Sequence, residues 1–437
     1  MPDWWSELNV ALNLHKSEEE WLTLDTLDLQ GRPNLEKLPK SIGKLRQLTS
    51  LTLRGCTSLR QLPASIAHLQ SLTTLDLSQC GALNSLPAAV GGLKQLEILR
   101  LPGCVSLQQL PVFIDGLCAL QELDLSQCAA LVGLPAHISG LAKLQKLRLN
   151  SCVSLTELPA SIGGLSALKE LDLSHCTSFE HLPHQVGKLQ NLETLLLAGC
   201  AKFRHLPWSV GQTKIAALYM SGCTSLRVGD LAGTFGGVSA KDQMWGSLES
   251  LDVSGCDALS AVPGSISCLH KLQVLNLGDC TSLHKLPDTI GHLGSLQRLQ
   301  LHGCISLRCL PQNISSLAQL HTLEMCRCSA LEELPEENGE LHLPSSLTKL
   351  DLSGCVALKR LPPKIGGLDK LNELLLADCE GLRQLPSTLS SLKSLEVLNL
   401  TSCSNIWRLP ELPKELRALQ IVDCFSLKSL PTLPSAL

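Results

Sequence analysis

No run of about 18 apolar residues occurs in this 437-residue chain, so no membrane-spanning helix is expected. Charge of one sign is also missing. Its 36 lysines and arginines against 40 acids give a formal net of -4, which leaves no broad electrostatic case for nucleic acid or an anionic membrane. The start, MPDWWSELNVALNLHKSEEE, carries acids early and lacks a basic leader region, so no secretory signal is expected. Phosphate-loop, G-x-S-x-G, H-E-x-x-H and calcium-loop patterns are absent; SIGKL at 41–45 holds only a glycine and a lysine. Neither a cofactor nor a catalytic centre is expected. Tyrosine occurs once, at Tyr219.

Cysteine, by contrast, is abundant, at 20 residues. Cys56, Cys80, Cys104, Cys128, Cys152, Cys176 and Cys200 stand 24 residues apart, each closing a phrase such as LTTLDLSQC, LQELDLSQC or LETLLLAGC. Between them recurs leucine, proline, an aliphatic residue and leucine, as in Leu62, Pro63, Ile66 and Leu69. A fixed period of this length with leucines at fixed offsets predicts a leucine-rich repeat solenoid, in which each coil packs only on its neighbours. The expected fold is an α/β horseshoe of about 17 units, mostly of 24 residues, with a parallel concave sheet. Proline at the start of each return segment predicts turns, 3₁₀ pieces or one-turn helices on the convex side. Sixteen cysteines share one slot beside their copies in neighbouring coils. Reach alone permits disulfides there, but side chains stacked in one direction lack the crossed geometry of a bridge. A ladder of buried thiols in a reducing compartment, cytoplasm or nucleus, is the expectation; some disulfides are the alternative. Zinc is disfavoured because no paired Cys–His set is present.

Along the chain, residues 1–22 predict an N-terminal cap, with Trp4, Trp5, Leu8 and Leu12 on one helix face after Asp3. Residues 23–437 predict one continuous solenoid. Its first unit has Arg32 in the cysteine slot, where a long charged side chain is easier to hold at the end of a stack. The rhythm breaks at about 227–247, where five glycines predict a loop-like bulge, partly packed through Leu231, Phe235, Val238, Met244 and Trp245. A smaller expansion falls at about 336–346, and residues 425–437 are expected to cover the far end.

On each strand one residue between the core leucines faces outward. That row reads Asp76, Arg100, Asp124, Arg148, Asp172, Leu196, Tyr219, Asp252, Asn276, Gln300, Glu324 and Asp351, and it is the candidate protein-binding face. From Asp76 to Asp172 acids alternate with arginines, an arrangement that avoids like-charge crowding between adjacent strands. Leu196 and Tyr219 are the candidate anchors, because aromatic contacts carry disproportionate binding energy. Trp208 and Trp407 belong to return segments, where packing is expected. His175, His181 and His184 lie close in sequence; ordinary exposed histidines are expected and a metal site is the alternative. Cys326, in an outward slot beside Arg327, is the expected oxidation-prone thiol.

The unit L-x-x-L-x-L-S-x-C-x-x-L-x-x-L-P-x-x-I-x-x-L resembles the repeats of plant intracellular immune receptors, in particular those that begin with a TIR domain and a nucleotide-binding switch. LDLSQCGALNSLPAAVGGL at 75–93 and LDLSGCVALKRLPPKIGGL at 350–368 carry the likeness, as does the ending LPELPKELRALQIVDCFSLKSLPTLP. The resemblance spans roughly residues 22–434 and lacks the upstream domains. It implies recognition of a pathogen effector or guarded host protein through the concave face, or restraint of an immune switch. A general intracellular scaffold is the alternative that the same fold allows.

Overall fold

A computed structural model describes residues 3–236, 244–338, 340–435 and 437. The chain divides into two compact units, one ending at Ile215 and the other beginning at Ala216. In the first, eight three-residue strands from Thr26–Asp28 to Thr194–Leu196 pair in parallel, each with the next. In the second, nine strands from Ala217–Tyr219 to Ala418–Gln420 do the same. Together they are the seventeen strand units that the repeat predicts. Register follows from the period: Leu51 stands opposite Leu75, Leu75 opposite Leu99, and each is fully buried.

The return segments are short 3₁₀ turns, and the Leu-Pro phrase explains why. Pro63, at φ -71° and ψ 149°, precedes the turn Ala64–His68, its carbonyl accepting from the Ile66 amide at 3.0 Å. The ring fixes φ and needs no amide partner. Ile66 and Leu69 then point inward, fully buried. Only three residues of strand and one turn of 3₁₀ fit within a 24-residue coil, so each coil contributes a thin slice of core. Phe179 and Phe203 take a leucine slot in adjacent coils of the first unit, and their rings stack 6.1 Å apart.

The cysteines form a hydrogen-bonded ladder of free thiols. Each Sγ–H donates to the carbonyl of a core residue in the preceding coil: Cys80 to Leu53 at 3.2 Å, Cys152 to Leu125 at 3.2 Å, Cys304 to Leu277 at 3.1 Å. Seven such bonds lie in the first unit and eight in the second. Cysteine suits the slot because it is small, tolerates burial and still carries one weak donor. Arg32 departs from this for a structural reason. Its guanidinium donates to the carbonyl of Leu12 at the end of the cap helix α1 (Trp4–Leu12), tying the first coil to its cover. The cap also has a second helix, α2 (Glu18–Leu22), which buries Trp21 completely. A reciprocal capping box between Ser17 and Glu20 starts it.

Fifteen cysteines are buried, Cys118, Cys268 and Cys309 are exposed, and Cys326 and Cys424 are intermediate. The expectation that Cys326 is the vulnerable thiol is therefore corrected. Burial, with Asp351 nearby, pushes its thiol up and away from the reactive thiolate. An uncharged maleimide is expected to label three cysteines rapidly in the native protein and two slowly, with the other fifteen reacting only after denaturation. A ladder cysteine that reacts as fast as Cys309 would contradict this packing.

The described part of the irregular section is more ordered than its glycines suggest. Residues Val228–Gly236 form a helix, α3, rather than a loop. Asp230 accepts from the Arg227 amide at 2.9 Å, and Leu231 and Phe235, four residues apart, turn one face inward. Phe235 meets Trp245 edge to face at 5.2 Å, and Trp245 is only 3% exposed. Gly237 and Val238 lie outside the described residues. The smaller expansion is an antiparallel hairpin, Glu336–Glu337 with Glu340–Leu341. Ion pairs from Arg360 to Glu336, at 2.6 Å, and from Lys364 to Glu340 hold it to the next coil. Residues 425–437 contain no described helix or strand and leave Phe425 82% exposed, with Leu430 and Leu433 also exposed.

Candidate protein-binding face

Every three-residue strand of the repeat places one core leucine between two outward side chains, so each unit presents columns of residues spaced by one coil. Asp76, Arg100, Asp124, Arg148, Asp172 and Leu196 occupy the last strand position in the first unit, all half-buried. Asp252, Asn276, Gln300, Glu324 and Asp351 do so in the second, also half-buried, and Tyr219 is 37% exposed. Within each unit the structure keeps the candidates on one strand face.

Their partners differ from a simple alternation along the row. The aspartates serve their own coils: the Oδ1 atoms of Asp76, Asp124 and Asp172 accept from the amides of Ser78, Ser126 and Ser174 at 2.8, 2.9 and 2.9 Å. Asp252 and Asp351 accept likewise from Ser254 and Ser353, and Asn276 from Gly278. Each closes the turn that leaves the strand, as short acidic and amide side chains do. The arginines instead pair with glutamates of the neighbouring column. Glu122 receives both Arg100, at 3.5 Å, and Arg148, at 3.3 Å, and Arg148 reaches Glu170 at 3.2 Å. In the second unit Gln300 donates to Glu324 at 2.8 Å, and Lys349 pairs with Glu373 at 3.7 Å. Glu122 and Glu170 belong to a second outward column, at the first position of their strands. Their offset of two from the row, with one coil between, was the available signal.

Chemically this is a wide polar surface whose long side chains are held in place by one another. No group of three or more histidine, cysteine or acidic side chains able to hold a metal occurs among the described residues. His175 sits exposed in a left-handed turn at φ 60°, and His184 packs obliquely on Trp208 at 6.4 Å. Trp208 and Trp407, expected to pack, are both partly exposed. No described helix is long and apolar enough to cross a membrane.

Residues 116–309 match the family described as disease resistance protein RPS4B-like, leucine-rich repeats, and residues 23–109 match one described as leucine-rich repeat region. Among curated proteins none matches the chain. A leucine-rich repeat protein of Leptospira interrogans is 25% identical, over 90% of this chain and 92% of its own, with a TM-score of 0.46. The Arabidopsis receptor kinase HAESA, solved with the peptide hormone IDA and the co-receptor SERK1, is 22% identical over 90% and 75%, with a TM-score of 0.35. An internalin of Listeria monocytogenes is 16% identical over 77% and 95%, at 0.37. Scores this low bear on neither partner nor activity.

Proposed function

We propose that this non-enzymatic leucine-rich repeat interaction module recognises another protein through its outward parallel-strand face, in the service of plant innate immunity. The partner is a pathogen effector, a guarded host protein, or the switch of an immune receptor that the module restrains. The observation that carries the reading is the ordered polar face itself, with Glu122 shared by Arg100 and Arg148 and Arg148 tied to Glu170. Long side chains held in place before contact lose less freedom on binding, and complementary charge selects among partners. The immune assignment draws on the match of residues 116–309 to disease resistance repeats and on the repeat phrases at 75–93 and 350–368. The buried free thiols support a reducing compartment, cytoplasm or nucleus.

The test is capture of partners from plant tissue by the intact chain and by its Arg100→Ala/Arg148→Ala variant, beside a return-side control, Lys188→Ala/Lys214→Ala. Exposed ion pairs contribute about 0–1 kcal/mol to folding, so circular dichroism of the variant should be unchanged. An immune switch or pathogen protein held by the intact chain and control, and lost about tenfold or more by the strand-face variant, is the expected result. Equal retention by all three removes the strand face from the proposal. Recovery of a constitutive host complex alone removes the immune assignment.

A further inference from the structure

Charge is balanced over the whole chain but not along it. Residues 32–70 contain seven lysines and arginines and a single carboxylate, Glu36. Lys37, Lys40, Lys44 and Arg46 lie on the first coil's return segment and Arg60 on the second coil; all five are exposed. Among the described residues none of the five makes an ion pair. Two acids of the cap have partners of their own: Glu18 accepts from the Trp4 indole at 3.0 Å and Glu20 closes the capping box with Ser17. Nor does the repeat require these cations. The slot of Lys40 holds alanine at 64, 88, 136 and 160, and the slot of Lys44 holds glycine at 92, 116, 140 and 164.

A groove runs between the first two return segments, its floor the Leu-Pro phrases Leu38-Pro39 and Leu62-Pro63, with Lys37 and Lys40 beside it and Glu7 of the cap at its rim. We propose that this cationic groove is a second docking surface, one that takes an acidic polypeptide segment carrying apolar side chains between its carboxylates. Unpaired cations around a partly apolar floor complement such a segment in both respects. A nucleic acid matches the cations alone, and residues 32–70 contain no phenylalanine, tyrosine or tryptophan on which a base would stack. An anionic membrane is a poorer fit as well, because no large apolar side chain of this segment is exposed for insertion.

The test uses the full chain and a fluorescent synthetic peptide of alternating glutamate and leucine. Its glutamine counterpart, a single-stranded oligonucleotide and phosphatidylserine vesicles are the competing probes. The peptide should bind, weaken as salt rises, and lose about tenfold or more in affinity to Lys37→Glu/Lys40→Glu/Lys44→Glu. The control Lys188→Glu/Lys202→Glu/Lys214→Glu, with the same change in net charge, should bind like the parent. Circular dichroism confirms that both variants fold. Failure of the peptide to bind, equal loss in the control, or tighter binding of the oligonucleotide, vesicles or glutamine peptide would each overturn the assignment.

Discussion

Raising the pH from 8 to about 10 is expected to unfold this protein cooperatively. Burial pushes the thiols of Cys80, Cys104, Cys152, Cys176, Cys280, Cys304 and Cys355 up to about 12, from an ordinary value of 9.0. A thiol whose folded value is raised holds its proton in the native state after the unfolded chain has released it. Stability from these groups is therefore fully present below pH 9 and falls as pH climbs toward 12. At pH 10 each raised thiol costs the fold on the order of 1 kcal/mol. Several acting together in one unit are a large fraction of the stability of an ordinary domain, about 5–15 kcal/mol. Far-ultraviolet dichroism and thiolate absorbance should move together in one steep transition. Native dichroism retained beyond pH 11, or thiolates appearing gradually well before the fold is lost, would show that the ladder is not dry.

The fold was legible because the period and the chemistry agree at most of the coils. Proline, leucine and cysteine each recur where their φ, volume and burial suit one place in the coil, and the structure puts them there. The misread segments lack that repetition. Gly229 and Gly233 lower helix propensity, yet Leu231 and Phe235 gain enough by packing for α3 to form. Residues 18–22 are too few for a periodic signal, although Ser17 and Glu20 spell a capping box. On the candidate face, which side chains point outward followed from alternation alone. Which of them bind each other did not, because the Arg148 guanidinium chooses between acids of two columns by reach. The aspartates of the row were legible as outward residues and not as turn-closing acceptors, since SerN–Asp geometry depends on the bend after the strand.

Cys152→Asp should be among the most damaging single substitutions of a polar atom in the first unit. Cys152 is fully buried, and its Sγ–H donates to the Leu125 carbonyl while the Cys176 thiol donates to Leu149 one coil on. A carboxylate there has no proton to give, faces a carbonyl oxygen and has no cation near it. An uncompensated buried charge costs about 3–5 kcal/mol. Cys152→Ala removes the thiol's hydrogen bond at about 0.5–1.5 kcal/mol, and Cys152→Ser keeps a donor and should cost no more. The Asp variant should regain stability as pH falls, because the neutral carboxyl can donate to Leu125 again. Arg32 shows how a charged side chain is accommodated in this slot: it stands at the end of the stack and meets the Leu12 carbonyl of the cap. In a solenoid each coil is stabilised by its neighbours, so a failure at 152 should also expose the chain between about 125 and 176 to protease before the rest. Urea unfolding and limited proteolysis of the full chain read both effects. A Cys152→Asp variant as stable as Cys152→Ser at neutral pH would mean that water reaches the ladder, and the alkaline transition should then be shallow as well.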